Sequence, residues 1–325
     1  MQMVLQIFLL LIGFVALIKG ADIFVDGSSS VAALLKVPSV IIGLTIVALG
    51  TSAPELAVST SAALNGSNEI ALSNVVGSNL FNLLMVLGVC AVICPIPIDP
   101  IIRKRDYPFS LAVTVLLLGA LSIPLFGKIN FATVKMSDNV SLVSRIIGIA
   151  LLVVFITYIT ILIISARKNK TEGEPVKTMS PLKSVIYIIL GIALIIAGGQ
   201  FVVNSAKYIA AAFGMSETLI GLTVVALGTS LPELVTSIVA SRKGENGLAV
   251  GNVVGSNIFN ILLILGVSAT VNPIPVNFAS MIDLSILAVM SIVVYFFATS
   301  KNINRVEGIL MILAYAGTMV FAIVR

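Results

Sequence analysis

The sequence predicts an all-α integral membrane protein with ten transmembrane helices, arranged as two five-helix repeats of inverted topology. Two observations favour this class. Hydrophobic residues make up 58% of the 325-residue chain and charged residues only 10%, whereas about a quarter of the residues in soluble domains are charged. Residues 43–98 and 221–276 also align without a gap, with 33 identical residues in 56 positions. A match of this extent indicates an internal duplication rather than shared apolar composition.

Apolar runs of about 20 residues, the length that crosses a bilayer, define the predicted helices. The spans cover residues 3–33, 38–64, 68–94, 107–126, 141–166, 181–213, 216–241, 246–271, 279–299 and 303–324. The chain enters the first run without a basic leader or a small-residue cleavage site, which predicts a retained helix rather than a signal peptide. The end of the fourth span is the least defined, because Pro124 and a polar stretch lie there.

The duplication divides the chain into a first repeat over residues 1–166, a short cytoplasmic linker over 167–180 and a second repeat over 181–325. Each repeat has five spans, so the second enters the membrane from the opposite side, as in many secondary transporters. Thirteen lysines and arginines lie in the connections after odd-numbered spans, and three lie on the other side. By the positive-inside rule, both termini of this multi-pass protein are outside the plasma or inner membrane.

A proline and a carboxylate occur together inside two of the predicted spans. The motif reads Gly-Thr-Ser-Ala-Pro-Glu over residues 50–55 and Gly-Thr-Ser-Leu-Pro-Glu over residues 228–233. Proline removes a backbone donor and opens the helix one turn back, and an ionised side chain at membrane depth is disfavoured without a partner. The pattern therefore predicts a cation site. Its predicted oxygen donors are Glu55, Ser52, Thr51, Ala48, Glu233, Ser230, Thr229 and Ala226.

A polar stripe follows each motif, with side chains that recur every four residues along one helix face. The stripes consist of Asn74, Ser78 and Asn82 in the third span, and Asn252, Ser256 and Asn260 in the eighth. Ser78, Asn82, Ser256 and Asn260 are predicted ligands, whereas Ser59, Ser237, Asn79 and Asn257 are predicted packing residues. Three charges in the first span, Lys19, Asp22 and Asp26, have neutral counterparts in the second repeat and are predicted to form a local ion pair or rim charges, with an accessory role in ion access as the alternative.

The chain has no histidine and only two cysteines. Soft or borderline metals usually bind imidazole or thiolate, whereas sodium, calcium and magnesium bind oxygen. If the four motif-bearing helices meet, they form an all-oxygen cage with a formal charge of about −2, which suits one Ca²⁺ or several Na⁺ ions. The net charge of +5 lies in the loops between spans, where basic residues set topology, so no nucleic-acid partner is expected.

At these residues the sequence resembles the cation/calcium antiporter superfamily, and most closely its sodium/calcium exchanger branch. The duplicated segments look like that family's two alpha-repeats, and the resemblance implies that Glu55 and Glu233 are central cation ligands. The other ligands that it implies are Ser52, Ser230, Ser78, Ser256, Asn82, Asn260 and the carbonyls of Ala48, Thr51, Ala226 and Thr229. Some relatives carry Asp at the position of Asn260, so a potassium site is not expected here. The Gly-Asn-x-x-Glu pattern of proton-coupled exchangers is missing.

The predicted function is therefore electrogenic exchange of Na⁺ for Ca²⁺ by alternating access, with calcium extrusion as the usual direction. Both ions are the transported substrates; no enzymatic activity and no cofactor are expected. The bilayer is the expected partner, a monomer is compatible with the sequence, and no protein partner is identified. The alternatives are a proton-coupled or Mg²⁺ exchanger of the same fold and, from another class, a cation channel. The first and sixth spans, the longest and rich in glycine, are predicted to slide and expose one side at a time.

Overall fold

The computed structural model describes residues 2–66, 69–123, 133–168, 178–214, 226–300 and 302–324. In chain order the helical elements are α1 (Gln2–Leu35), α2 (Ser39–Ile42), π1 (Gly43–Val47), α3 (Ala48–Thr51), α4 (Ala53–Leu64), α5 (Glu69–Leu80), π2 (Phe81–Val86), α6 (Leu87–Ile93), π3 (Ile102–Asp106), α7 (Tyr107–Ser122), α8 (Arg145–Lys168), α9 (Pro181–Ala212), α10 (Ala226–Thr229), α11 (Leu231–Arg242), α12 (Asn246–Phe259), π4 (Asn260–Ile264), α13 (Leu265–Val271), α14 (Phe278–Thr299) and α15 (Arg305–Val324). The strands are β1 (Ile96–Pro97), β2 (Asn139–Val143), β3 (Ile274–Asn277) and β4 (Asn302–Ile303).

Seven helical stretches in the described part of the chain are long and apolar enough to cross a membrane, and the bent pair of stretches 39–51 and 53–64 provides an eighth if it counts as one span. These stretches form helices because a backbone in hydrocarbon must satisfy its own hydrogen bonds. The multi-pass membrane class is thus confirmed. The first ten residues of the predicted seventh span and the end of the fourth lie outside the described residues.

The described residues form two compact units. Unit one comprises residues 1–54 and 164–255, and unit two comprises residues 55–163 and 256–325. Each unit therefore takes segments from both halves of the chain. The predicted repeats at 1–166 and 181–325 divide the chain by sequence duplication, whereas the two units divide it by packing. Most of the predicted linker lies outside the described residues.

In unit one, α1 and α9 pack closely as an antiparallel pair through glycines. A Cβ atom added at Gly13 would lie 2.9 Å from the carbonyl oxygen of Gly198, and one added at Gly191 would lie 2.6 Å from the Cβ of Phe24. Small residues at such contacts let two membrane helices approach to backbone distance. The glycine content that distinguished the first and sixth predicted spans therefore serves their mutual packing.

A second glycine row in unit one lies on α12. A Cβ atom added at Gly251 would lie 2.7 Å from the Val40 carbonyl oxygen, and one added at Gly255 would lie 2.8 Å from the Ala48 Cβ. The approach of α12 to α2 and α3 is therefore at backbone distance. It also brings the polar face of α12 beside the end of α3, where the first motif lies.

Unit two contains two short antiparallel ribbons, which the all-α prediction did not include. β1 pairs with β4, and β2 pairs with β3. The helices α6 and α15 meet at Gly88, whose added Cβ would lie 2.9 Å from the Gly308 carbonyl oxygen. The β1–β4 ribbon thus pairs the segment after α6 with the segment before α15, two helices that already pack together.

The start of α7 in unit two is fixed by buried polar contacts. The Asp106 carboxylate accepts hydrogen bonds from Arg105 Nε at 2.9 Å and from the Tyr158 hydroxyl at 3.1 Å. The Tyr107 hydroxyl donates to the Ser291 carbonyl oxygen at 3.0 Å. These contacts join α7 to α8 and α14, and they satisfy groups whose burial without partners would be costly.

Candidate functional site

Both motif-bearing helices break at the serine of the motif. Ser52 has φ −83° and ψ 6°, and Ser230 has φ −94° and ψ 6°, so neither continues the preceding helix. A new helix begins at the next residue and carries its carboxylate, Glu55 or Glu233, in the first turn. The free N–H groups of a helix N-terminus favour a negative charge there. The break therefore supplies part of the stabilisation that a buried carboxylate needs.

The carbonyls at the first break remain partly engaged. Ala48 O accepts the Ser52 N–H at 3.0 Å, and the Thr51 hydroxyl lies 3.4 Å from the same oxygen. The single hydrogen of the Thr51 hydroxyl goes to Asn252 Oδ1, so the Ser52 N–H occupies one of the two lone pairs of Ala48 O and the other can bind an ion. At the second break, Ala226 and Thr229 are the first and last residues of α10.

In unit one, Glu233 lies in a buried polar frame. Ser52 Oγ donates to Glu233 Oε1 at 3.1 Å. Asn252 Nδ2 lies 3.0 Å from Ser237 Oγ and 3.5 Å from the main-chain oxygen of Glu233. The Thr51 hydroxyl donates to Asn252 Oδ1 at 3.0 Å. All five side chains are buried, so the frame fixes the turn that carries the carboxylate.

In unit two, Glu55 lies in a frame of the same design. Asn74 Nδ2 lies 3.0 Å from Ser59 Oγ and 3.5 Å from the main-chain oxygen of Glu55. Ser78 Oγ approaches Glu55 Oε1 at 3.5 Å. Asn74 is half-buried, whereas Glu55 and Ser59 are fully buried. The amide contacts therefore have the same lengths at the two carboxylates.

Unit two also contains four buried asparagines at the junctions where α5 meets π2 and α12 meets π4, and three of them, Asn79, Asn257 and Asn260, form a hydrogen-bonded cluster. Asn79 Nδ2 donates to the Asn257 carbonyl oxygen at 3.2 Å, and Asn257 Nδ2 donates to the Asn79 carbonyl oxygen at 3.4 Å. Asn260 Nδ2 donates to Asn79 Oδ1 at 2.9 Å. Within the described residues, neither polar side-chain atom of Asn82 has a hydrogen-bond partner. Single π-helical turns such as those beside Asn82 and Asn260 are frequent at functional sites.

The structure thus brings together some of the predicted ligands within each unit. Unit one joins Ser52 and Thr51 to the frame of Glu233, and unit two joins Ser78 to Glu55. Ser230, Ser256, Asn82 and Asn260 are all fully buried. That all twelve predicted residues bind one set of ions stays a prediction.

Sequence reasoning missed the two serines that anchor the frames. Ser59 and Ser237 were predicted as packing residues, yet each accepts the hydrogen bond of an asparagine in a stripe. A signal was present, because each serine follows its motif glutamate by four residues and so shares its helix face. The polar partner on the neighbouring helix was not identified.

Two of the repeat-breaking charges of α1, Asp22 and Asp26, form ion pairs in unit one, but with Lys243 and not with Lys19, so the predicted local pair was wrong in its partner. Lys243 Nζ lies 2.6 Å from Oδ1 of both Asp22 and Asp26 and donates to the main-chain oxygen of Asp22 at 2.9 Å. Burial lowers the pKa of Lys243, but the hydrogen bonds to both aspartates outweigh it and raise the pKa above its ordinary value of 10.5. The pair therefore favours the charged lysine.

Apolar helices with buried, hydrogen-bonded carboxylates define a membrane protein of the transport class. The family model described as sodium/calcium exchanger protein matches residues 5–164 and 183–324. The chain belongs to this family, and the resemblance inferred from the duplicated motif is confirmed.

Relatives extend over nearly the whole chain. The sodium/calcium exchanger MaX1 of Methanosarcina acetivorans is 33% identical over 338 residues, covering 96% of this chain and 97% of the relative. The inner membrane protein YrbG of Escherichia coli is 35% identical over 302 residues, covering 90% of this chain and 88% of the relative. A solved structure of the sodium-calcium exchanger NCX_Mj is 31% identical, with a TM-score of 0.81 over 98% of this chain and 99% of that one.

Proposed function

We propose that this protein is a secondary antiporter that exchanges Na⁺ for Ca²⁺ across a membrane by alternating access. The observation that carries the proposal is the matched pair of frames. In each, the motif glutamate is buried and its main-chain oxygen lies 3.5 Å from an asparagine amide that also donates to a serine at 3.0 Å. Family membership and relatives named as sodium/calcium exchangers support the choice of ions.

In this proposal, carboxylate oxygens of Glu55 and Glu233 bind Ca²⁺, because calcium prefers oxygen ligands that include carboxylates. Na⁺ ions bind the same carboxylates together with neutral oxygen donors. The proposed donors are the hydroxyls of Ser52, Ser230, Ser78 and Ser256, the carbonyls of Ala48, Thr51, Ala226 and Thr229, and the amides of Asn82 and Asn260. Two carboxylates balance one Ca²⁺, so three Na⁺ in its place would leave a net positive charge.

We further propose ten spans in two inverted repeats of five, with both termini outside the cell. The thirteen-to-three distribution of basic residues supports this orientation. If more than two Na⁺ exchange for each Ca²⁺, a charge moves in each cycle and transport depends on voltage by about 2.3 kcal/mol per 100 mV. An inside-negative potential then favours calcium extrusion, and α1 with α9 is the pair proposed to slide.

The decisive experiment measures ⁴⁵Ca²⁺ uptake into proteoliposomes preloaded with Na⁺, for the wild type and for Glu55→Gln and Glu233→Gln. Each substitution keeps the shape but removes the charge, and we expect uptake to fall by about 100-fold or more, as for loss of a charged ligand. Glu307→Gln is the matched control, because Glu307 caps α15 through the Asn304 N–H, which is a role that glutamine also fills.

The gradients imposed on the vesicles separate the alternative functions. K⁺-loaded vesicles should show no uptake, and a pH gradient alone should drive none. Uptake that follows the pH gradient would transfer the protein to the proton-coupled class, and equal transport at all clamped voltages would contradict electrogenic exchange. Mg²⁺ that competes with ⁴⁵Ca²⁺ at equal concentration would indicate a magnesium exchanger.

A further inference from the structure

The buried asparagine cluster in unit two contains a residue that is hydrogen-bonded to a proposed ligand. An asparagine side chain ends in one acceptor oxygen and one donor nitrogen of similar size. Only the oxygen binds a cation, so an asparagine ligand works well when a neighbour fixes which atom faces the ion. Partners that orient ligands in this way tune ion affinity without touching the ion.

Asn260 has such a neighbour. Its Nδ2 donates to Asn79 Oδ1 at 2.9 Å, the shortest hydrogen bond of the cluster. Its Oδ1 is buried and has no hydrogen-bond partner among the described residues. The amide is therefore held by its nitrogen, which leaves the oxygen available to a ligand.

Asn79 is itself fixed in the orientation that this contact requires. Its Nδ2 donates to the Asn257 carbonyl oxygen at 3.2 Å, so its Oδ1 is the atom that faces Asn260. Rotation of the Asn79 amide by half a turn would place a donor against a donor and break both hydrogen bonds. Since all three residues are buried, water does not easily compensate such a loss.

The repeat provides an internal comparison. Asn257 and Asn82 occupy the positions in the sequence that match Asn79 and Asn260, at the same offset of 178 residues. Asn257 makes the same backbone contact as Asn79, with its Nδ2 on the Asn79 carbonyl oxygen. Yet Asn257 Oδ1 and the whole Asn82 amide have no hydrogen-bond partner within the described residues. The orienting contact is thus formed at one of two equivalent positions.

We propose that Asn79 is a positioning residue, which orients the Asn260 amide so that its oxygen binds Na⁺. The inference rests on the proposed exchange function and deepens it, because it assigns a role in Na⁺ affinity to a side chain that does not contact the ion. Asn257 serves as the matched control, since it shares the backbone contact but does not contact the Asn260 amide.

The test is the internal Na⁺ concentration that half-saturates ⁴⁵Ca²⁺ uptake into proteoliposomes. Asn79→Leu removes the acceptor, and we expect the half-saturating concentration to rise about fivefold, as for loss of one buried hydrogen bond. Asn79→Asp keeps an acceptor for Asn260 but loses the donor to the Asn257 carbonyl oxygen, so it should restore only part of this loss. Asn257→Leu should change the value less than about twofold.

Double variants distinguish orientation from general packing. If Asn79 acts through Asn260, Asn79→Leu should have no further effect in an Asn260→Ala background, whereas Asn257→Leu should have the same small effect in both backgrounds. Multiplicative effects of Asn79→Leu and Asn260→Ala, or equal effects of Asn79→Leu and Asn257→Leu, would overturn the proposal. Size-exclusion profiles verify folding, and Asn79→Ala with Asn260→Ala replaces the leucine pair if Asn79→Leu does not fold.

The two proposals fail in different ways. A wild type without Na⁺-driven ⁴⁵Ca²⁺ uptake refutes the proposed function. A wild type that exchanges normally, with independent effects at positions 79 and 260, refutes only the role of Asn79.

Discussion

The surroundings of Glu233 in unit one and of Glu55 in unit two agree closely beside the carboxylate and differ at the far end of the helix that carries it. In both, an asparagine amide lies 3.0 Å from a serine hydroxyl and 3.5 Å from the main-chain oxygen of the glutamate. At the far end, Lys243 binds two aspartates, whereas its counterpart Asn65 donates to the Ser61 hydroxyl at 3.4 Å.

This difference separates the part of each helix that holds a carboxylate from the part that carries other polar or charged groups. The matched frames hold two equivalent carboxylates, as expected if both halves bind ions equally. The unmatched ends place a charged cluster on one helix and a neutral contact on the other, and a similar contrast exists between α1 and α9. Where α1 has Asp22 and Asp26, α9 has Gln200 and Asn204, with Gln200 Nε2 donating to Asn204 Oδ1 at 3.0 Å. Charge therefore distinguishes regions that share the same backbone design.

The largest expected effect breaks the frames themselves. Asn252→Leu removes contacts to Ser237, Thr51 and the main chain of Glu233 at a fully buried position, and loss of these buried hydrogen bonds costs about 2–3 kcal/mol. Asn74→Leu removes only the contacts to Ser59 and the Glu55 main chain at a half-buried position, so a smaller loss is expected. Thermal unfolding and initial exchange rates of the two variants test this order; equal losses would show that the extra Thr51 contact contributes nothing.

The next effect concerns the glycine contacts of α1 and α9, which are also related by the repeat. A Cβ atom added at Gly20 would lie 2.8 Å from Leu194 Cβ, and one added at Gly198 would lie 2.7 Å from Leu17 N. Gly20→Ala and Gly198→Ala should each destabilise the protein by about 2 kcal/mol through overpacking. Gly119→Ala is the control, because Gly119 is exposed and no described atom lies within 4 Å of its added Cβ. A loss in the control as large as in the two variants would contradict the packing explanation.

The membrane-crossing helices were predictable because hydrophobic runs of this length have few alternatives to a transmembrane helix. α14 starts one residue before the predicted ninth span, 279–299. The stretch from α12 to α13 has the same bounds as the predicted eighth span, 246–271. The π turns at residues 81–86 and 260–264 were not predicted, since neither contains a glycine or proline to indicate it. The short ribbons were missed for a similar reason, because strands of two to five residues depend on pairing with distant segments.

At the candidate site, the sequence identified the glutamates because proline and charge are unusual within a membrane helix. It could not assign partners to Ser59, Ser237 or Asn79. Serine and asparagine also occur as ordinary packing residues in membrane helices, so their type alone does not distinguish the two roles. Which stripe asparagine faces which serine is decided by the packing of neighbouring helices, and that information lies in contacts between residues far apart in the sequence.

The smallest expected effect removes the charge difference between the two helix ends. Lys243→Asn converts the far end of α11 to the residue found at Asn65, and the ion pair is partly exposed, with 29% of the Lys243 side chain accessible. Solvent screening limits the contribution of such pairs to less than about 1 kcal/mol.

Because the aspartates raise the Lys243 pKa above 10.5, the contribution of the ion pair to stability is present below pH 10.5 and is lost as the pH rises through the raised value. Unfolding midpoints in low and high choline chloride, a salt without the proposed substrate Na⁺, should therefore coincide in the variant but differ in the wild type. The control is Lys104→Asn, because Lys104 is exposed and the described residues provide no ion pair for it. Equal salt dependence in the wild type and in Lys243→Asn would mean that the charged end of α11 adds no stability.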